Sequence, residues 1–106
     1  MKPHWYYILL SLSERDRHGS GIMRDVLELT AGRIRLWPAT LYGSLEELRE
    51  RGWIEELADP DRPEGASDRK RFYRITGAGR RQAREETRRL EAVLAAARSR
   101  LPEEAR

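Results

Sequence analysis

The feature that most restricts how this chain folds is a row of apolar and small side chains in its last third: Ala83, Thr87, Leu90, Leu94, Ala97 and Leu101. The spacings are 4, 3, 4, 3 and 4 residues, a heptad seam with Arg and Glu on most flanking positions. A helix is predicted from roughly Gly77 to Arg100, capped by Thr76 and ended by Pro102. So narrow a seam cannot order a long helix by itself; it needs a second helix to bury it. Residues 4–13, HWYYILLSLS, supply the companion. Trp5, Ile8, Leu9 and Leu12 repeat at helical spacing while Tyr6, Tyr7 and Leu10 fill much of the other side, so this helix is buried on two sides. In so short a chain one of those sides belongs to another subunit. The expected dimer interface is therefore Trp5, Ile8, Leu9 and Leu12 from the first helix and the six seam residues from the last.

Between these two helices the punctuation is dense. A second helix is predicted from Ser20 to Thr30, with Ser20 as N-cap, Ile22, Met23, Val26 and Leu29 as its buried stripe, and Gly32 as the left-handed residue beyond its end. Ile34 and Leu36 alternate with Arg33 and Arg35, a short strand pattern. Pro38 opens a third helix, where its missing N–H costs nothing, and Gly52 closes it. WIEEL (53–57) and RFYRIT (71–76) read as two strands joined by the exposed loop ADPDRPEGASDRK. The fold class is mainly α with a small β-hairpin: a winged helix-turn-helix over residues 1–76, then a C-terminal dimerisation helix and tail over 77–106.

The third helix has an unusual outer face. Leu41, Leu45 and Leu48 form its apolar row; opposite stand Ala39, Thr40, Tyr42, Gly43 and Ser44, followed by Glu46, Glu47 and Glu50. Small residues and hydroxyls in the first half suit a recognition helix set deep in a DNA major groove, with phosphate favoured by the helix N-terminus. The acids at the far end would be repelled by DNA and so help set the docking angle. The plainer reading is that Ala39 and Gly43 permit close packing on another helix. Charge adds to the DNA reading. Net charge is +3, but residues 1–57 hold eight basic and nine acidic side chains, whereas seven basic residues and no acid lie between Arg69 and Arg84. Such a cluster attracts phosphate, although a solvated, Arg-rich surface looks the same in sequence. The DNA-contacting set is Arg35, Pro38, Thr40, Tyr42, Gly43, Ser44, Arg69, Lys70, Arg71 and Arg74.

At this point a resemblance can be stated. The segments ILLSLSERDRHGSGIM (8–23), LWPATLYGSLEELRERGWIEE (36–56) and RFYRITGAGRR (71–81) resemble the PadR family of bacterial transcriptional regulators in order and spacing, and TLYGSLEELRERGWIE carries most of the specificity. The resemblance implies a homodimer joined through first and last helices, an inverted-repeat operator, repression as the usual outcome, and in some members release from DNA by a small aromatic or drug-like effector. By position it places Pro38, Thr40, Leu41 and Tyr42 at the start of the recognition helix, His18 and Gly19 at the turn before the second helix, and Tyr73 and Thr76 on the second wing strand and the cap of the last helix. Trp37 departs from the family's small polar cap, and Gly77 stands where Pro is common. Trp5, Tyr6 and Tyr7 are the candidate lining of an effector pocket; their plainer role is dimer core, and the last helix contributes no aromatic residue to such a pocket.

Other classes find little footing. There is no Cys, His4 and His18 have no partners at metal-ligand spacing, and no nucleophile motif or phosphate loop occurs, so neither an enzyme nor a cofactor or metal is expected. The longest apolar run, Trp5 to Leu10, is too short to span a membrane, and a cytoplasmic protein is expected. The alternative function is a winged-helix module whose third helix binds protein, which a flat salt response and no duplex affinity would mark.

Overall fold

The computed structural model describes residues 1–58 and 70–104. Its elements are α1 (Pro3–Glu14), β1 (Arg17–His18), α2 (Gly19–Leu29), α3 (Pro38–Glu50), β2 (Ile54–Glu56), β3 (Phe72–Ile75) and α4 (Gly77–Arg100). The three strands form one antiparallel sheet in the order β1-β3-β2, with Arg17 opposite Tyr73 and Ile54 opposite Ile75. Arg69 and most of the predicted wing loop lie outside the described residues.

The helix boundaries follow local chemistry. Pro38 occupies the first turn of α3, and the Gly52 and Trp53 amides return to the Arg49 and Leu48 carbonyls at 3.0 Å each. Gly52 has φ +75°, so this is a Schellman ending on the residue type that tolerates it best. The last turn of α2 closes the same way, but Ala31 (φ 52°) takes the first left-handed position and Gly32 (φ 80°) the second. Thr76 caps α4 as the sequence suggests, its Oγ1 accepting from the Gly79 amide at 3.1 Å.

Three local expectations are corrected. The N-cap of α2 is His18, whose Nδ1 accepts from the Gly21 amide at 3.3 Å, rather than Ser20. Ile34 and Leu36 form no strand: the segment leads into α3 with Leu36 buried, and it pairs with no strand among the described residues. Conversely Arg17–His18, which the sequence leaves as a break, pairs with β3 as a third strand.

The core lies beneath α1. Trp5, Ile8, Leu9 and Leu12 are all buried within the single chain, together with Ile22, Val26, Leu41, Leu45, Leu48, Tyr73 and Ile75. These four positions therefore belong to the interior of one subunit, which corrects their placement in a dimer interface: α1 is doubly apolar because α2 and β3 meet it as well as α4. The seam of α4 divides accordingly. Ala83 is buried and Thr87 half-buried against α1, whereas Leu90, Leu94 and Leu101 are exposed and Ala97 is partly so. Val93, outside the predicted seam, is exposed beside Leu94, so the apolar stripe is broader than a two-position heptad. With this helix projecting, the molecule measures 58 × 26 × 23 Å.

Two glycines test this packing in opposite senses. A Cβ on Gly79 would run into the Trp53 carbonyl oxygen and the Ile75 side chain, because the start of α4 lies directly on the β2 entry. A Cβ on Gly43 would meet nothing. Gly79→Ala should therefore destabilise the protein by about 1–3 kcal/mol, while Gly43→Ala should stabilise it by about 0.5–1 kcal/mol through helix propensity alone. Chemical denaturation of the two variants checks both signs.

Candidate nucleic-acid interface

Burial of Leu41, Leu45 and Leu48 fixes the rotation of α3, and with it the residues that face outward. Pro38, Ala39, Thr40, Tyr42 and Gly43 are exposed. The open space beside Gly43 is not filled by another element of the chain, so its small size serves no contact within the described residues. Ser44 is a correction. It is only 4% exposed, and its Oγ lies 2.8 Å from His4 Nε2 on α1. Its hydroxyl joins two helices of the core instead of facing outward.

Beside this face is a cleft of about 280 Å³ lined by His18, Gly19 and Ser20 at the start of α2, Tyr42 of α3, and Lys70 and Arg71 at the base of the wing. The Tyr42 ring lies so close over Gly19 that a Cβ there would collide with the phenol. Three separate segments thus bring a hydroxyl, a phenol, an ammonium and a guanidinium to one place. Ser20 was missed as a candidate because its expected cap role is filled by His18; its exposure at the first turn of α2 leaves the hydroxyl on this cleft. His18 registers the local field. Its imidazole is held below the ordinary value near 6.5, first by burial and then by the positive charges of Lys70 and Arg24. The ring also meets Phe72 edge-on at 5.3 Å.

The predicted arginines differ in setting. Arg71 makes two bonds to Glu56 across the hairpin, at 2.7 and 3.0 Å, and its guanidinium stands over Tyr73. Arg74 is held by Asp16 through contacts of 2.8 to 3.2 Å, which tie β3 to the turn after α1. Arg35 is exposed, with its guanidinium 5.4 Å from the centre of the Trp37 ring.

Within one chain the aromatic trio of the first helix divides between two neighbours, although the Tyr6 and Tyr7 rings meet edge-on at 5.9 Å. Trp5 is buried edge-on against Trp53, with Arg51 over its ring at 4.9 Å. The cavity it borders is shared with Lys2, Glu47, Glu50 and Arg51, on the α3 side. Tyr6 turns to α4, where its hydroxyl donates to Thr87 Oγ1 at 2.8 Å, the Thr87 proton being engaged with the Ala83 carbonyl. The helical repeat accounts for the divergence of Trp5 and Tyr6, since adjacent residues on a helix point about 100° apart. Among the described residues no cluster of three or more His, Asp or Glu could hold a metal ion, and no helix is long and apolar enough to cross a membrane.

Comparison with known proteins bears directly on this geometry. The model of the transcriptional regulator PadR-like family matches residues 8–85. No curated protein matches the chain in sequence. Among solved structures, a transcriptional regulator from Clostridium thermocellum is similar at TM-score 0.76 and 22% identity, over 93% of this chain and 89% of that one. A PadR family transcription regulator from hypervirulent Clostridium difficile is similar at TM-score 0.76 and 19% identity, over 92% and 96%. Bacillus subtilis PadR in complex with operator DNA is similar at TM-score 0.68 and 21% identity, over 82% of this chain and 48% of that one. At these identities the likeness is one of fold: a winged helix with a long C-terminal helix.

The His18 cap has a measurable consequence. Its depressed pKa means that the unfolded chain takes up this proton first, so stability is lost as pH falls from about 6.5 through the lower folded-state value. His4, lowered by burial and by Lys2, acts in the same direction. Thermal midpoints should fall between neutral pH and about 5.5, above most carboxylate titration. His18→Asn, which keeps a capping acceptor, should make that decline shallower.

Proposed function

Since the chain belongs to the transcriptional regulator PadR-like family, we propose that it acts as a homodimeric repressor bound to an inverted-repeat operator. Membership makes it a transcriptional regulator rather than an enzyme. The observation that carries the finer reading is the outer face of α3. Thr40, Tyr42 and Gly43 stand exposed on a helix whose other side is locked into the core, next to a cleft that holds Lys70 and Arg71. In this proposal α3 enters the major groove. Pro38, Thr40, Tyr42 and Gly43 meet base edges and sugars, and Ser20, Arg35, Lys70 and Arg71 meet phosphates. Arg69, a further candidate from the sequence, lies outside the described residues. The operator DNA bound by the similarly folded Bacillus subtilis protein supports this assignment.

Residues 1–76 form the DNA-binding body in this reading and 77–106 the dimerisation element. The exposed stripe of Leu90, Val93, Leu94 and Leu101 supports pairing through the second half of α4, with Ala97 between them. Two recognition helices then reach successive major grooves about 34–36 Å apart. Thr and Tyr read bases weakly compared with Arg on guanine or Asn on adenine, so DNA shape carries much of the specificity.

Fluorescence anisotropy with the DNA upstream of the protein's own gene, beside a scrambled duplex, tests the reading. Selective, salt-sensitive binding by two subunits is expected. Lys70→Gln should weaken binding to all sequences and lower the salt slope by about one. No binding to either duplex at low salt would favour a protein-binding module. Leu94→Glu should leave the fold intact, since the side chain is half exposed at 50%, yet yield monomers in sedimentation and a loss of operator affinity.

A further inference from the structure

Trp37 is the most exposed aromatic side chain among the described residues that stand out as exposed hydrophobics, at 63%. It is the N-cap residue of α3 but makes no side-chain capping bond, so its identity is not accounted for by the helix it starts. Nor does the core account for it: the indole lines a groove of about 380 Å³ between α2 and the start of α3, whose apolar lining also includes Met23, Leu27 and Leu36. The charged residues lining this groove are Arg24 and Arg35, and no carboxylate lines it. Arg35 already stands against the indole. A large bare indole, a cation 5.4 Å from its ring centre and a second cation lining the same groove form a surface matched to something partly apolar and negatively charged.

We propose that this groove holds the deoxyribose–phosphate backbone of the bound duplex, with Trp37 packed on a sugar and Arg35 and Arg24 on the flanking phosphates. The assignment rests on the reading that α3 enters the major groove. Trp37 is less than one helical turn from Thr40, so a duplex that meets Thr40 continues past Trp37. Contact with sugar and phosphate fixes the register of a protein on DNA without reading bases. The stack with Arg35 restricts both side chains before binding, which lowers the ordering cost of the contact. Trp37 is thus a positioning residue: it sets how far the first turn of α3 advances along the groove.

Backbone contacts are independent of sequence, so the test needs no operator. The full chain is titrated against a labelled duplex of mixed sequence, about three helical turns long, at several low salt concentrations. Trp37→Ala should weaken binding about tenfold, through loss of the apolar area the indole covers on the sugar, with the salt slope unchanged. Trp37→Phe should recover most of the affinity. Arg35→Gln should lower the slope by about one. Acrylamide quenching of the Trp37 signal, taken as the difference between the unsubstituted chain and Trp37→Phe, should drop when duplex is added. Unchanged affinity in Trp37→Ala, or equal quenching with and without duplex, overturns the inference while leaving the DNA reading standing. Full affinity together with loss of dimers in Trp37→Ala would give the groove to a second copy and overturn it equally. Failure of the unsubstituted chain to bind any duplex at low salt overturns both readings.

Discussion

Burial of α1 is the constraint on which the rest depends. Its side chains Ile8, Leu9 and Leu12 are wholly enclosed by one chain, and enclosing a helix from several directions requires elements from both ends of the sequence. α2 and β3 cover it and α4 crosses it. Once α4 is fixed there, the Gly79 contact with the Trp53 carbonyl seats the base of the hairpin, and Thr76 secures the same junction with its own amide and hydroxyl on the Trp53 and Gly52 carbonyls. The hairpin then presents Lys70 and Arg71 beside Tyr42. The proposed interface is thus a consequence of core packing some distance behind it.

Much of this was legible in the sequence where a local rule governs. Pro38 and Gly52 bracket α3, Thr76 caps α4, and the leucine row fixes which way α3 faces; each follows from dihedral preference, an unpaired amide or helical periodicity. Legibility failed where a residue's partner lies far along the chain. Ser44 reads as a small polar residue for an outer face, and only the His4 ring, forty positions away, gives its hydroxyl a reason to be buried. Arg17 and His18 carry no strand signal of their own; they pair because β3 passes beside them. Ile34 and Leu36 carry such a signal and do not pair, because among the described residues no strand edge reaches them.

The doubly apolar first helix illustrates a further ambiguity. Apolar residues all round a helix state that both sides are covered, not by whom. The sequence assigned Trp5, Ile8, Leu9 and Leu12 to an interface with a second subunit; the chain itself buries all four, while Tyr6, Tyr7 and Leu10 on the other side are half-buried. Surplus apolar surface appears instead where the body of the chain ends and α4 continues, at Val93, Leu94 and Leu101. The site residues divide by the same logic. Thr40, Tyr42 and Gly43 were placed by periodicity alone, whereas the cleft they share with Ser20 and Lys70 needed the tertiary arrangement of α2 and the wing.

Ion pairing limits how far the count of arginines translates into DNA affinity. Arg71 is bonded to Glu56 and Arg74 to Asp16. A phosphate that approaches either must displace or accommodate a carboxylate already in place, so the change in local charge is smaller than for a cation facing water. Exposed pairs of this kind contribute only about 0–1 kcal/mol to stability, little enough that phosphate could compete for Arg71, which remains half exposed. Arg74 is less exposed, and its three short contacts to Asp16 brace the strand that carries the wing. Its exchange would loosen the element that positions Lys70 and Arg71, so the fold and the interface set opposite demands on this guanidinium. The number of counterions released on binding should therefore fall below the number of basic residues near the proposed interface, with Arg74 holding the sheet through Asp16.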